Sequence, residues 1–227
     1  MSDAPVDPRW PKILSLSVHE FRTPMTVVAG YIRMLLKERA GPLSEQQRKL
    51  LEEAEKGCAR LTALLSEVSE LSNLEAGTAP FNRQQVDLHR VLRETVDQLP
   101  PLPDRDVAVE LRGESGSATL HADPVRLGQA FASVMKALRR EIITDSPLIV
   151  RLRPGAGAQG ANVVIGDNDA IAAFDAEAPG AREPFDEWRG GSGLILPVAR
   201  RVFEAHGARI DGAPGGRKTG ARIQFTA

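Results

Sequence analysis

The sequence has little cysteine and no excess of either charge. The one cysteine among 227 residues, Cys58, excludes an intramolecular disulfide and is typical of a reducing compartment. It lies at helical spacing between Ala54 and Leu61, so we interpret it as a core-filling side chain rather than a redox group. The 29 Lys and Arg residues balance 30 Asp and Glu residues, giving a net charge of −1. This balance gives no reason to expect nucleic acid or an anionic membrane as a partner.

Long apolar runs are lacking as well. No stretch approaches the roughly 18 apolar residues that a membrane-spanning helix requires. The first residues, MSDAPVDP, have neither the basic stretch nor the apolar core of a signal peptide. We therefore expect a cytoplasmic protein without a membrane partner, of a length that suits one or two domains.

Helical periodicity is strongest around His19. Apolar residues recur at steps of three and four on both sides of it, which predicts an amphipathic helix. The helix should begin at Asp7-Pro8 or Trp10-Pro11 and run to about Glu38. Pro24 lies in its middle and cannot donate to the carbonyl of the preceding turn, so we expect a kink there. A histidine on such a solvent-facing turn can present a ring nitrogen as a nucleophile.

A second helix follows a predicted capping box at Ser44 and Gln47 and should end at Glu75-Ala76-Gly77. Its apolar residues have heptad spacing, which indicates a coiled-coil seam: Leu51, Ala54, Cys58, Leu61, Leu65 and Val68. One helical hairpin cannot bury both this seam and the apolar residues that flank it. We expect two copies to pair as a dimeric four-helix bundle, the alternative being that the hairpin docks on the C-terminal half.

From residue 78 to residue 227 strand and helix patterns alternate, which predicts a second domain of α/β class after a hairpin domain at 1–77. The predicted strands are Phe81–Val86, Val107–Leu111, Ala118–His121, Leu148–Leu152, Val163–Ile165, Arg209–Asp211 and Ala221–Phe225. The predicted helices are Leu88–Leu99, a segment from Asp123-Pro124 to about Ile142, and one that follows Gly190–Gly193 and ends near His206-Gly207. The polar stretch Gly166–Asp169 is interpreted as a simple turn.

The string His-Glu-Phe-Arg-Thr-Pro at 19–24 matches every position of the phosphoacceptor motif of sensor histidine kinases. The resemblance implies that His19 carries the phosphoryl group, that Glu20 is the general base that polarises the imidazole, and that Thr23 positions a water for dephosphorylation. It also implies a homodimer and a response-regulator receiver domain as partner. Without the resemblance, His19 and Glu20 would be an ordinary surface pair on a coiled-coil-like helix.

The second half resembles the ATP-binding domain of the same kinases, an α/β sandwich of the type found in gyrase. The order of elements carries the resemblance, together with the stretches 121–129, 183–185, 191–194 and 204–207. The family's two asparagines correspond to Ser133 and Ala137, and the second of them coordinates Mg²⁺. A methyl group cannot bind a cation that demands oxygen ligands, so transfer from ATP would lack charge neutralisation.

The family's adenine-binding Asp-x-Gly-x-Gly corresponds to Gly166, Asn168 and Ala170 without a gap. With a gap, Asp167 could replace the aspartate, but both glycines remain missing. The later glycine-rich turn keeps Gly191 and Gly193 but continues with Ile195 and Pro197. We interpret this turn first as the start of a helix and second as a phosphate cradle.

The preferred interpretation is a histidine phosphotransferase that relays phosphoryl groups through His19, with no cofactor and no metal site. Two alternatives remain open. One is an autophosphorylating kinase that uses ATP and Mg²⁺, and the other is a non-catalytic scaffold for response regulators.

Overall fold

The computed structural model describes residues 10–113, 118–155, 160–176, 183–189 and 191–226. The chain divides into two compact units, Met1–Ala79 and Pro80–Ala227. None of the described helices combines the length and the apolarity that crossing a bilayer requires.

The first unit is a hairpin of two long helices, α1 (Trp10–Leu36) and α2 (Glu45–Glu75). The predicted capping box is confirmed: Ser44 Oγ accepts from the Gln47 N–H at 3.2 Å, and Gln47 Oε1 accepts from the Ser44 N–H at 2.9 Å. The alternative start of α1 at Asp7-Pro8 lies outside the described residues.

Helix α1 ends slightly earlier than predicted because Glu38 has a left-handed backbone, φ 54°. Arg48 of α2 secures this end by donating to the Leu36 carbonyl at 3.3 Å and to the Glu38 carboxylate at 2.5 Å. At the other end of the hairpin, buried Ser72 donates to the Pro11 carbonyl at 2.7 Å.

The second unit contains eight strands and four helices among its described residues. The strands are β1 (Gln84–Asp87), β2 (Val109–Arg112), β3 (Thr119–Ala122), β4 (Leu148–Pro154), β5 (Ala161–Gly166), β6 (Glu183–Pro184), β7 (Ala208–Ala213) and β8 (Arg217–Phe225). The helices are α3 (Leu88–Asp97), α4 (Pro124–Glu141), α5 (Asn168–Ala176) and α6 (Ile195–Ala205).

Six of these strands form a mixed sheet in the order β2-β4-β5-β8-β7-β6, in which only β2 and β4 run parallel. Strands β1 and β3 form a separate antiparallel pair. Side chains alternate between the two faces of a sheet. On β8, Phe225 lies 6.4 Å from Phe131 of α4, whereas Arg222 lies over Phe174 of α5 at 5.3 Å. Helices therefore cover both faces, and the prediction of a helical hairpin followed by an α/β sandwich is confirmed.

One predicted strand begins later than expected, and one predicted turn was wrong. The strand expected at Phe81–Val86 begins only at Gln84, because Phe81 packs its ring edge-on against His206 at 5.1 Å and the Asn82 N–H donates to Asp123 at 2.8 Å. The stretch Gly166–Asp169 is not a simple turn, since its last two residues open α5. Asp167 caps this helix by accepting from the Ala170 N–H at 2.8 Å.

Other predicted elements hold with shifted ends. Strand β8 begins at Arg217 rather than Ala221, and β6 was not predicted at all. The predicted cap of α4 is confirmed, because Asp123 Oδ1 accepts from the Val125 and Arg126 N–H groups at 3.1 Å each.

Candidate functional site

His19 lies on the exposed side of α1, directly after a residue that anchors the helix. Val18 is only 4% exposed, whereas the side chains of His19 and Glu20 are 77% and 73% exposed. Glu20 Oε1 lies 3.5 Å from His19 Nδ1. A carboxylate on that side favours the tautomer that carries its proton on Nδ1. The lone pair of Nε2 is then directed at solvent, where a reacting group can approach it.

Thr23 lies about one turn after His19 on the same helix, and its side chain is also exposed. Helix α1 continues through Pro24. The next turn has a local hydrogen bond of its own, because Thr26 Oγ1 donates to the Arg22 carbonyl at 2.8 Å. The sequence-predicted residues His19, Glu20 and Thr23 are thus brought together on one accessible stretch of helix.

The positions that correspond to the family's asparagines lie on α4 and offer little to a cation. Ala137 is 4% exposed and has no side-chain oxygen. Ser133 donates its hydroxyl to the Gln129 carbonyl at 2.9 Å, one turn back in its own helix. Among the described residues, no three His, Cys, Asp or Glu side chains are grouped closely enough to hold a metal.

The candidate adenine-binding aspartate, Asp167, is engaged at the start of α5. Ala170, at the position of a family glycine, is fully buried. Its methyl group fills a notch between Gly166 and Gly220, where a Cβ on either glycine would come within 2.8 Å of it. This packing closes the space that glycine would leave beside the strands. The residues at these positions therefore do not fit Mg²⁺-ATP.

The glycine-rich turn leads directly into α6. Gly191 and Gly193 have φ of 78° and 57°, a conformation that favours glycine. The Gly191 carbonyl accepts from Arg140 at 3.2 Å, and Gly190 lies outside the described residues. The turn is thus observed as a helix start, while its use as a phosphate cradle stays a hypothesis.

Arg189 precedes this turn and is buried, 8% exposed. Its guanidinium donates to the Lys218 carbonyl and, at 3.0 Å, to the Asp186 carbonyl, and it lies 4.9 Å above the Phe185 ring. Burial lowers the pKa of Arg189, while the charges of Asp186 and Glu141 oppose that shift. This packing of Arg189 was not predicted from the sequence, because its hydrogen bonds go to backbone carbonyls and its remaining contact is the face of a ring.

The sequence also left the part played by His206 unassigned. The ring stands at the end of α6, where Nδ1 contacts the Val202 carbonyl at 2.7 Å and Nε2 accepts from the Asp123 N–H at 3.0 Å. Burial lowers its pKa. His206 is therefore a structural group that joins α6 to the cap of α4. Of the other histidines, His89 is buried in α3 and His121 is exposed on β3.

Residues 13–77 match the His Kinase A (phospho-acceptor) domain family. The circadian input-output histidine kinase CikA of Synechococcus elongatus is 26% identical over 209 residues, which cover 88% of this chain and 27% of that protein. The cell-division control histidine kinase PdhS of Brucella ovis is 25% identical over 218 residues, covering 87% of this chain and 21% of the relative. The chain thus spans about a quarter of the length of these curated relatives.

Two solved structures share the fold. Full-length ShkA in complex with AMPPNP superposes with a TM-score of 0.70 at 22% identity, over 95% of this chain and 45% of ShkA. The Acinetobacter baumannii histidine kinase AdeS gives a TM-score of 0.56 at 19% identity, over 92% of this chain and 97% of AdeS. The family match of the hairpin, the curated relatives and the two solved structures all point to histidine kinases. The chain is related to the histidine kinases of two-component signalling: its helical hairpin matches the phospho-acceptor domain family, and its α/β unit shares the fold of the solved kinases.

Proposed function

We propose that this chain is a histidine phosphotransferase, which exchanges phosphoryl groups between His19 and aspartates of response-regulator receiver domains. The observation that carries the proposal is a contrast between two sites. His19 and Glu20 are exposed and adjacent, with 3.5 Å between Nδ1 and Oε1. The nucleotide positions instead hold the buried methyl groups of Ala137 and Ala170.

The transfer step needs little from this chain beyond the imidazole. Nε2 of His19 attacks the phosphorus of an aspartyl phosphate, the N–P bond forms, and the bond to the aspartate oxygen breaks with its electron pair. The aspartate leaves as a carboxylate. Glu20 holds the proton of Nδ1 and stabilises the positive charge that develops on the ring. The receiver supplies the activated phosphoryl group.

The exposed apolar residues of the hairpin further support a homodimer as the acting form. Leu50 is 66% exposed and Leu61 50% exposed in one chain. Apolar positions of this kind on paired helices are buried when two hairpins assemble into a bundle.

The test uses radiolabelled phospho-receivers from the same cell, mixed with the protein in the absence of ATP. Label should appear on the wild type and be lost from His19→Gln. Because His19 is exposed, this variant should fold normally. His121→Gln, which also replaces an exposed histidine, is the matched control and should label like the wild type. If no receiver labels the wild type, or if His19→Gln labels equally, the phosphotransferase proposal is wrong and a scaffold role replaces it.

An autophosphorylating kinase is the second candidate, favoured by the names of the relatives and by the AMPPNP bound to ShkA. Calorimetry with Mg²⁺-ATP separates the two. We expect weak or undetectable binding, because losing the metal ligand and closing the adenine side should each weaken affinity by an order of magnitude or more, about 1.4 kcal/mol per tenfold. A micromolar dissociation constant would favour the kinase.

A further inference from the structure

A cleft in the α/β unit is lined by more basic than acidic side chains. It is a cavity of about 350 Å³ between the proline-rich loop after α3 and the last turns of α4. Four cationic residues line it: Arg105, Lys136, Arg139 and Arg140. Asp104 is the one acidic residue in the lining. The lining therefore carries a net positive charge, and its volume is in the range of small-ligand sites.

The three guanidinium groups are fixed in place by backbone carbonyls. Arg139 donates to the Pro100 carbonyl at 3.0 Å, and Arg105 to the Arg140 carbonyl at 2.5 Å. Arg140 in turn donates to the Gly191 carbonyl at 3.2 Å. A carbonyl oxygen orients a guanidinium without removing its charge. The described parts of the chain place no carboxylate within ion-pair distance of these groups.

Arg139 gives the second, independent observation. The residue is 4% exposed, and its Nε is buried without a hydrogen-bond partner among the described residues. Arginine is rarely buried to this degree unless it is paired, and an unsatisfied buried donor calls for an ion or a water. Because Arg139 lines the cleft, an anion bound there would supply a counter-charge for this buried side chain.

We propose that this cleft binds a small phosphate-bearing anion, through Arg105, Lys136 and Arg140 at its rim and Arg139 at its base. Phosphate oxygens fit such a set because arginine presents paired N–H donors and lysine a point charge. Inorganic oligophosphates and the phosphate chains of nucleotides both offer this chemistry, and the phosphate group is what they share. The lining of the cleft does not include His19, so this proposal is tested independently of the phosphotransferase proposal.

Calorimetry on the full chain tests the site with inorganic pyrophosphate as the probe. The wild type should bind it, and binding should weaken with rising salt because the attraction is electrostatic. Replacing two exposed rim cations together, Arg105→Gln with Lys136→Gln, should weaken binding at least tenfold. The matched control, Arg93→Gln with Lys218→Gln, removes the same charges from exposed positions elsewhere in this unit and should leave binding within twofold of the wild type.

A variant that should gain affinity is also included, because misfolding could explain a loss of binding but not a gain. Asp104→Asn removes the acidic group of the lining from an exposed position and should tighten pyrophosphate binding severalfold. ADP in place of pyrophosphate distinguishes the sources: tighter binding that the rim pair abolishes identifies a nucleotide, and equal binding identifies the phosphate group alone. No binding by the wild type at millimolar pyrophosphate, or equal losses in the rim and control pairs, would overturn the proposal.

Discussion

At the scale of single residues, the proposed mechanism makes Glu20 the group that controls the reactivity of His19. Its carboxylate is the group near Nδ1, and no burial assists it, so its effect should be limited to orienting the ring and stabilising the charge that develops. We expect Glu20→Ala to slow phosphotransfer by about a hundredfold, the usual loss for an acid-base partner. Single-turnover transfer from a phospho-receiver measures this rate. Thr23→Ala is the companion variant: it should spare transfer and reduce only hydrolysis of the phosphohistidine. Unchanged transfer in Glu20→Ala would remove Glu20 from the mechanism.

His206 should make the stability of the α/β unit depend on pH. Burial lowers its pKa below the usual 6.5, Arg83 and Arg126 lower it further, and Asp123 and the Val202 carbonyl oppose them. The folded state therefore favours the neutral ring, whose Nε2 accepts from the Asp123 N–H. The unfolded chain binds the proton first, so stability is full above about pH 6.5, falls as the pH drops from there towards the lowered pKa, and levels off below it.

The expected result is a thermal midpoint that declines in a window that begins near pH 6.5 and ends at the lowered pKa of His206. The carboxylates whose pKa is lowered, Asp123, Asp175 and Glu204, titrate below this window. In His206→Gln the amide oxygen can still accept a hydrogen bond but cannot titrate, so the decline should flatten. His121→Gln should keep the wild-type slope, and a slope unchanged in His206→Gln would assign the effect elsewhere.

At the scale of elements, α5 can pack close to the sheet because two glycines face it. Gly166 of β5 and Gly220 of β8 are partners in the ladder. A methyl group at Gly220 would lie 2.6 Å from the Ala213 Cβ and 2.8 Å from the Ala170 Cβ. Gly220→Ala should therefore displace α5 and lower the free energy of unfolding by about 1–3 kcal/mol.

Urea unfolding measures this loss. Lys218→Ala on the same strand is the control and should remain within about 0.5 kcal/mol of the wild type, because its side chain is exposed. Equal stability of Gly220→Ala and the wild type would show that α5 is not held as closely as the backbone implies.

The sequence predicted those elements whose signals are local. The capping box at Ser44 and the cap at Asp123 depend on residues a few positions apart, and both formed as expected. Helix α5 was missed because Asn168 and Asp169 usually favour turns, while the burial of Ala170 against two glycines depends on strands distant in the sequence. The same reason hid the contact between His206 and Asp123, which are 83 positions apart.

At the scale of the whole molecule, the two halves of the chain were predictable to different degrees. The motif at 19–24 located the exposed pair His19 and Glu20 because a linear helix preserves linear spacing. The positions that correspond to the family's nucleotide-binding residues could be identified by alignment. Whether the side chains there fill the space of the nucleotide could not be predicted. That depends on what a methyl group at Ala137 or Ala170 touches in three dimensions. Substitutions in a motif indicate that a site has changed. Only the packing in three dimensions shows whether room for the ligand remains.

The surface of the hairpin indicates how the whole molecule assembles. In one chain the buried residues of α1 are only Val18, Ala29 and Ile32. The large apolar side chains that are at least 40% exposed on the hairpin are Trp10, Ile13, Leu16, Phe21, Val27, Val28, Tyr31, Met34, Leu50 and Leu61. Monomeric soluble proteins rarely expose so large an apolar set on one pair of helices. We expect a dimer at micromolar concentration, formed by pairing two hairpins into a four-helix bundle.

Leu61→Glu should dissociate this dimer, because it places an unpaired charge in the heptad seam, where burial would cost several kcal/mol. Ala63→Glu adds the same charge two positions later, at an exposed heptad position outside the seam, and should stay dimeric. Light scattering at several concentrations reads both masses, and helical circular dichroism confirms that the hairpin remains folded. A wild type that scatters as a monomer would exclude the bundle. If Leu61→Glu and Ala63→Glu dissociate alike, the contact lies on a face other than the seam.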